Sequence, residues 1–297
     1  MKKYFLFVSY VLIGCLYTTN GHAQDIDETY GSMYQWRSYM AFTALDEVAV
    51  MNGKVYAVSS NSMFAVDKES EEIEYYTKLS GLSTSGIGHI AHNVYLDKIL
   101  ITYLNGQLDI IDNHEDVHNI SDLYVKQMNA SKQTNTICMH NDVAYMGMSF
   151  GVLVVDLLRL QIQDTYYIGY NSTEVNVAGI TVSDNHIYAA TNDSLYIANL
   201  KDNLSDYNFW KTQPLPLASK TLQSLCLHNG TIFIVQDNKL YTWQDNAWKQ
   251  IVSEYPIRRI CKTENHLFLL PENVYGALEI DEQLKIKKAI PYGYIYD

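Results

Sequence analysis

The sequence predicts an all-β protein, a β-propeller of four-stranded antiparallel blades, and three observations support that prediction. A pattern of polar turn, short apolar strand, second turn and second short strand occurs six times, at a spacing of about 40 residues. A further strand-like segment precedes each repeat and another follows it, which gives four strands per repeat. No stretch shows a sustained apolar period of 3.6 residues, so helices should be few.

The six repeats align from their first turn onward. They read NGKVYAVSSNSMFAVD from Asn52, LDKILITYLNGQLDIID from Leu96, HNDVAYMGMSFGVLVVD from His140, SDNHIYAATNDSLYIAN from Ser183, HNGTIFIVQDNKLYTWQ from His228 and ENHLFLLPENVYGALEID from Glu264. The pairs Asn52-Gly53 and Asn229-Gly230 supply the positive φ angles that a two-residue hairpin turn requires. A single four-stranded sheet cannot cover both of its faces, so the blades must stack.

A partial seventh blade is expected beside the six recognisable ones. Trp36 with its following Arg resembles the Trp-Lys pairs at Trp210 and Trp248, which fall at a fourth strand. The segment around Trp36 precedes the first repeat, and the sixth repeat already has a fourth strand of its own, Lys285 to Ile290. We therefore expect a seventh blade whose remaining strands would follow Asp297.

Residues 1–23 are predicted to form a secretory signal peptide. A basic start is followed by a mostly apolar run from Tyr4 to Tyr17, and small residues around Ala23 precede a cleavage point before Gln24. An alternative is a bacterial lipobox that ends at Cys15, which would place a lipid on that cysteine. Either interpretation predicts an exported protein, in the periplasm or on the outer-membrane cell surface.

Composition bounds the remaining chain, residues 30–297, which we interpret as a single propeller domain. Of the 297 residues, 47% are hydrophobic and 18% are charged, so a sizeable core can be buried. The 21 Lys and Arg face 33 Asp and Glu, for a net charge of -12. Such a chain lacks the basic surface that nucleic acid requires. No segment beyond the leader is long and apolar enough to predict a transmembrane span.

One stretch matches a zinc-protease motif by its letters. His114-Glu115-Asp116-Val117-His118 reads HExxH, and that motif needs a helix to place both imidazoles beside one metal. Here it follows the strand Leu108 to Asp112 and precedes another strand-like segment. We therefore expect a hairpin loop and no metal site.

Histidines and aspartates recur at the turns. The recurring histidines are His140, His186, His228 and His266, and the aspartates that end third strands are Asp67, Asp112, Asp156 and Asp281. A histidine-lined ligand or metal site on one rim, or a calcium site, is the functional alternative. Turn formation is the simpler interpretation, because Asp side chains bond their own backbone in turns.

Three cysteines remain apart from Cys15, and an odd number does not form a disulfide framework. Cys138, Cys226 and Cys261 each follow an apolar residue, which predicts small buried side chains in strands. Asp193-Ser194-Leu195 fits a weak pattern for glycosylation of exported bacterial proteins. No nucleophile–base motif, phosphate loop or dinucleotide fingerprint is present, so no catalytic, cofactor-binding or metal residue is predicted.

Five segments resemble the N-terminal propeller of the PorZ family of type IX secretion components. They are Trp36-Arg37-Ser38-Tyr39, the TKLSGLS stretch from Thr77 to Ser83, Leu104 to Ile110, Ser149 to Leu153, and Asp164-Thr165-Tyr166. The order of these motifs matches the family as well as the spacing of the blades.

The resemblance implies a non-enzymatic binding or scaffold protein of the cell envelope. Its implied partners are envelope proteins of a secretion or surface-attachment machinery, including a sortase-like protein, with lipopolysaccharide or another glycan as a further ligand. The sensor propellers of hybrid two-component systems share a similar GLS…I…I rhythm, so a ligand-sensing propeller is the alternative.

Overall fold

The structure is a computed structural model that describes residues 45–263, 265–272 and 276–290, all within one compact unit, Ala41–Asp297. These residues form six four-stranded antiparallel sheets, and within each sheet the strands pair in chain order. The first strands of successive sheets are neighbours, so they surround the centre of a ring. The prediction of a β-propeller with six four-stranded blades is confirmed.

Each blade consists of four consecutive strands. Blade 1 contains β1 Glu47–Met51, β2 Lys54–Ser59, β3 Ser62–Asp67 and β4 Ile73–Tyr76; blade 2 contains β5 Ile87–Asn93, β6 Lys98–Tyr103, β7 Leu108–Ile111 and β8 Val117–Ile120; blade 3 contains β9 Thr134–His140, β10 Val143–Met148, β11 Gly151–Asp156 and β12 Gln161–Tyr166. Blade 4 contains β13 Gly179–Val182, β14 His186–Ala190, β15 Ser194–Asn199 and β16 Lys211–Pro214; blade 5 contains β17 Leu222–His228, β18 Thr231–Gln236, β19 Lys239–Gln244 and β20 Ala247–Ile251; blade 6 contains β21 Ile257–Lys262, β22 Leu267–Pro271, β23 Ala277–Ile280 and β24 Ile286–Ile290.

The second strands are apolar on both faces because neighbouring blades cover both. In β6, Ile99 and Ile101 pack into a cluster with blade 1, whereas Leu100 between them packs into a cluster with blade 3. Such a strand reads as a short continuous apolar run instead of an alternating one. Packing against two neighbours therefore explains the apolar runs that mark each repeat in the sequence.

The core is divided among the junctions between blades. One hydrophobic cluster joins each pair of successive blades from blade 1 to blade 6. Among the described residues, no such cluster joins blade 6 to blade 1. The corresponding face of blade 1 has a small cluster of its own, made by Ala57, Phe64 and Val66.

Turns lie on two faces of the ring. The hairpin face carries the turns that join the first strand to the second and the third strand to the fourth. The connector face carries the turns between second and third strands and the segments that lead to the next blade. A short helix, α1 Asp122–Val125, lies in a connector, and within the described residues no helix has the length and apolar character to cross a membrane.

The tryptophan positions are close to their expected places. Trp248 lies in β20 and donates its indole N–H to Pro214 O at 3.0 Å. Trp210 immediately precedes β16, because Asp206 caps a short 3₁₀ turn and delays the strand. Trp36 and the leader lie outside the described residues, so the seventh blade and the signal peptide stay predictions.

Candidate functional site

A single register position is polar in five of the six innermost strands. In each blade, the residue at this position pairs with an equivalent residue near the end of the second strand; these partners are Val58, Thr102, Gly147, Ala190, Val235 and Leu270. We call this set the central polar level, and its members are Glu47, His89, Thr136, Gly179, Ser224 and Arg259.

Glu47 is the hub of this level. Its Oε1 lies 2.7 Å from His89 Nδ1 and accepts a bond from Arg259 Nη2 at 3.3 Å, while Oε2 accepts the Ile90 N–H at 3.0 Å. Burial alone would raise the pKa of Glu47. The bonds from His89 and Ile90 and the two neighbouring cations outweigh that effect, so the pKa of this carboxyl lies below its ordinary value.

His89 continues the network into blade 3. Its Nε2 lies 3.0 Å from the carbonyl oxygen of Thr134. Both ring nitrogens therefore face acceptors, and both contacts are satisfied together only when the ring carries two protons. A base or nucleophile needs a free lone pair that faces its substrate. The protein's own groups occupy both ring nitrogens of His89 and both carboxylate oxygens of Glu47, so the arrangement is suited to holding blades together.

The same arrangement recurs at another junction of the ring. Ser224 Oγ in blade 5 accepts the Ile260 N–H of blade 6 at 3.2 Å, as Glu47 accepts the equivalent N–H of blade 2. A single side chain spans each of these junctions. Between blade 6 and blade 1, two side chains are needed to bridge the junction: Arg259 extends from blade 6 and contacts Glu47 of blade 1. The guanidinium of Arg259 is half-exposed, whereas the carboxylate of Glu47 is mostly buried.

β-bulges position these side chains. In blades 2, 3, 5 and 6 the pairing between first and second strands slips by one residue, just before the central polar level, at Gly88, Asn135, Gln223 and Arg258. A bulge bends the strand and turns its next side chain. The slip therefore sets the direction in which His89 and Arg259 extend.

A second polar cluster lies inside blade 2 around Asp109, which is fully buried. Its carboxylate accepts bonds from Tyr103 Oη at 2.6 Å, Asn119 Nδ2 at 2.9 Å, Ser83 N at 2.8 Å and Ser83 Oγ at 2.5 Å. Burial, together with the Asp109 carboxylate, raises the pKa of Tyr103 far above its ordinary range. These bonds fasten the connector between blades 1 and 2, and they place no free nucleophile there.

The HExxH stretch lies in the turn between β7 and β8, as predicted. Val117 and His118 already belong to β8, so the two histidines do not share a helix face. His118 Nε2 contacts Asp112 Oδ2 at 2.9 Å, and His114 is exposed. The geometry that a zinc protease needs is therefore absent from this turn.

The four recurring histidines all lie on the hairpin face but have different surroundings. His266 contacts Glu279 Oε1 at 2.6 Å and stacks on Phe268, and His186 contacts Tyr188. Burial and then the charges of Lys262 and His266 lower the pKa of His228. Within the described ranges, no group of three or more His, Cys, Asp or Glu side chains could hold a metal.

The four aspartates at third-strand ends each cap their own turn. The Oδ1 atom of each accepts two nearby backbone N–H groups at 2.7 to 3.0 Å, at Asp67, Asp112, Asp156 and Asp281. This is the turn-forming role that the sequence predicts. Asp193 has a different role, because its Oδ1 accepts the Ser219 N–H at 2.8 Å and ties a hairpin to a connector.

The cysteines occupy equivalent positions in three innermost strands, but their burial differs from the prediction. Cys226 is buried against blade 6, and burial raises its pKa to about 11. Cys138 is half-buried, and Cys261 is exposed. The prediction was wrong for Cys261 because it faces the junction with blade 1, where no apolar cluster joins the blades among the described residues.

The two faces of the ring differ in charge. Described turns of the hairpin face carry twelve acidic residues, Glu69, Glu71, Glu72, Asp97, Asp112, Glu115, Asp116, Asp142, Asp184, Asp245, Asp281 and Glu282, against three basic ones, Lys68, Arg159 and Lys285. The count leaves out the 200–210 connection, which packs beside blade 3. Described segments of the connector face carry seven acidic residues, Asp46, Asp122, Glu174, Asp193, Asp237, Glu254 and Glu272, and four basic ones, Lys78, Lys126, Lys132 and Lys220. The hairpin face therefore carries most of the acidic excess.

Sequence reasoning did not identify Glu47, His89 and Arg259 as a group. They lie in three different repeats, and Arg259 is 212 positions from Glu47. A register alignment of the strands that precede each repeat would have placed them at one level. Their contacts with one another depend on the closure of the ring.

Comparison with known proteins places the chain within a family. The sequence profile described as the "TSS9, PorZ, N-terminal beta-propeller domain" matches residues 55–211. The structure of PorZ, a surface component of the type IX secretion system of Porphyromonas gingivalis, superposes with a TM-score of 0.75 at 24% identity. That match covers 86% of this chain and 34% of PorZ, so the chain spans about a third of that protein.

More distant structures share the fold alone. The extracellular domain of a putative one component system from B. thetaiotaomicron gives a TM-score of 0.59 at 11% identity, over 79% of this chain and 33% of that one. A virginiamycin B lyase from Staphylococcus aureus gives 0.58 at 11% identity, over 76% and 77% of the two chains. A search of curated protein sequences finds no match. Since the family profile covers more than half of its residues, the chain belongs to the family of PorZ N-terminal β-propeller domains.

Proposed function

We propose that this protein is a non-enzymatic binding or scaffold propeller of the type IX secretion machinery in the cell envelope. The observation that carries the proposal is the family match over residues 55–211, together with the superposition on PorZ. The predicted signal peptide, residues 1–23, supports export to the periplasm or the cell surface. The proposed partners are envelope proteins of the secretion machinery, with lipopolysaccharide or another glycan as a further ligand.

The chemistry of the central polar level supports binding over catalysis. Glu47 and His89 form the carboxylate–imidazole pair nearest to the centre of the ring in the described residues, and their polar atoms are already bonded to the protein. A catalytic role would require one of these bonds to open for a substrate. The lyase among the similar structures makes this alternative worth testing, although its identity of 11% shows the fold alone.

The test compares binding with turnover. Purified protein is incubated with envelope polysaccharides, lipopolysaccharide and ester substrates, and both the bound fraction and the products are measured. Saturable binding without product is expected, and Glu47→Gln should leave it unchanged. Product formation that disappears in Glu47→Gln would establish an enzyme and contradict the proposal.

Export has a separate test. Mass spectrometry of protein from envelope fractions should find a mature N-terminus at Gln24 and no diacylglyceryl mass on Cys15. A lipid on Cys15 would favour the lipobox alternative and assign the protein to the lipoproteins. Protein that keeps Met1 and stays in the cytoplasm would contradict the envelope role itself.

A further inference from the structure

Three apolar side chains stand out from the acidic hairpin face at the boundary of blades 2 and 3. Val94 and Tyr95, at the tip of the β5–β6 hairpin, are 82% and 72% exposed, and Leu158 in the β11–β12 turn is 61% exposed. Lys98 Nζ donates to Leu157 O at 2.9 Å, which brings the two turns side by side. We call Val94, Tyr95 and Leu158 the apolar patch.

The apolar patch rests on a well-packed base. Leu96 and Leu157, which adjoin the patch in sequence, pack into the cluster between blades 2 and 3. Asn93 is buried, donates to Asn141 O at 2.7 Å and accepts the Leu96 N–H at 2.8 Å. The exposed position of Tyr95 is therefore held by a hydrogen-bonded hairpin. A Tyr side chain has only two rotatable bonds, so on a backbone held in this way it loses little conformational entropy on binding, which is typical of an interface hot spot.

Two carboxylates flank the patch on a face that carries an acidic excess. Asp97 lies in the same hairpin, where it contacts His92, and Asp142 lies in the neighbouring hairpin of blade 3. Of the nearby cations, Arg159 pairs with Asp156, and Lys98 donates to Leu157 O. The result is an apolar centre with an acidic rim made by Asp97 and Asp142, and an apolar centre with a polar rim is the usual anatomy of a protein-binding surface.

The connector face lacks this combination. Its exposed apolar side chains, among them Leu79, Val125, Tyr170 and Val252, lie on different connectors around the ring, and its described charges are of both signs, seven acidic and four basic. Tyr170 also packs edge-on against Tyr207. Among the described residues of the connector face, the exposed apolar side chains do not form one group beside charges of a single sign.

We propose that the apolar patch and its acidic rim form the docking surface for a protein partner with an apolar centre and a basic rim. The inference rests on the proposed binding role and adds the face and the chemistry of the partner. Negative charge around the patch disfavours anionic lipid headgroups and nucleic acid, because both would be repelled. A basic protein surface is attracted, and Tyr95 gives it an aromatic anchor.

The experiment places a photo-crosslinking amino acid at Tyr95 and, as the matched control, at Leu79 on the connector face, which is 94% exposed. Each variant of the full chain is irradiated in the producing cells, and the crosslinked protein is identified and purified. The affinity of this purified partner is then measured for the wild-type chain, for Tyr95→Ser/Leu158→Ser and for Leu79→Ser. Both serine variants should have the melting temperature of the wild type, because the replaced side chains are exposed.

We expect a crosslink from position 95 and none from position 79. Tyr95→Ser/Leu158→Ser should weaken binding at least tenfold or so, as for a hot-spot residue, and Leu79→Ser should not change it. Raising salt from about 50 mM to about 500 mM should also weaken binding, since charge attraction is screened.

Two outcomes would overturn the inference. A partner that crosslinks only from position 79, or that binds the double variant as tightly as the wild type, would move the docking surface elsewhere and leave the binding role intact. No crosslinked partner from either position, with no ligand bound in the polysaccharide screen, would remove both the inference and the proposed function.

Discussion

The guanidinium of Arg259 lies 3.3 Å from the carboxylate of Glu47, and this contact joins the sixth blade to the first. Every other junction between successive described blades has a shared apolar cluster. The junction of blades 6 and 1 is polar among the described residues, and it depends on a carboxylate that also bonds blade 2.

The two partners of this contact should differ in their contribution to stability. Glu47→Gln should lower the free energy of unfolding by about 2 kcal/mol, because the donors on His89 and Arg259 lose their ionised acceptor. Arg259→Gln should cost less than about 1 kcal/mol, because the guanidinium is half-exposed. Urea denaturation measures both changes, with Lys249→Gln in an exposed ion pair as the control. Equal losses in the two variants would contradict a hub at Glu47.

Acid should remove the contribution of Glu47. The pKa of this carboxyl is lower in the folded protein than its ordinary value of 4.5, so its ionised form stabilises the fold at neutral pH. That contribution is lost as the pH falls below about 4.5 and through the folded pKa. The stability difference between the wild type and Glu47→Gln should therefore shrink as the pH falls from about 5 towards 3. A difference that grows on acidification would have the wrong sign.

Asp109 should be among the most sensitive positions of blade 2. Asp109→Ala leaves the buried hydroxyl of Tyr103 and the donors of Ser83 and Asn119 without their acceptor, so we expect a loss of about 3 kcal/mol or more. Thermal melting checks this, with half-exposed Asp97→Ala as the matched control at less than about 1 kcal/mol. A tolerated Asp109→Ala would mean that water replaces the carboxylate.

Two glycines with positive φ should respond differently to alanine. A Cβ at Gly151 would lie 2.1 Å from Tyr166 O, so Gly151→Ala should cost more than about 3 kcal/mol or abolish folding. Gly230 has a φ of 74° with open space around it, so Gly230→Ala should cost only about 1 kcal/mol of backbone strain. Yields of folded protein and melting temperatures separate the two cases. Comparable losses would show that steric contact is not the cause.

The HExxH stretch should carry no zinc. His114→Ala/His118→Ala should leave the metal content unchanged, since these residues belong to a turn and a strand edge. The double variant should lose about 0.5 kcal/mol, as for other surface changes, with the His118–Asp112 contact as the main contribution. Atomic emission spectrometry and urea denaturation give the two values. If the wild type contained stoichiometric zinc and the double variant did not, the prediction would be wrong.

The sequence by itself determined the six blades and their strands, because these depend on local patterns. Apolar runs such as Ile99 to Tyr103 and polar turns such as Asn229-Gly230 are short-range signals; a short apolar run and a polar turn mark every repeat, and the Asn-Gly pair forms this turn in two of them. The turn-forming role of Asp67 and the hairpin position of His114 were predictable for the same reason, since both depend on neighbours a few residues away.

Only the tertiary structure decided which distant residues meet. Glu47, His89 and Arg259 come together because ring closure brings the first and last described blades to the same centre, across 212 positions. Cys261 is exposed while its equivalent Cys226 is buried, because no apolar cluster joins blades 6 and 1 among the described residues. The apolar patch arises in the same way, because Tyr95 and Leu158 become neighbours when blade 2 stacks on blade 3. Local patterns specify each blade, but the contacts between blades depend on how the blades are arranged around the axis.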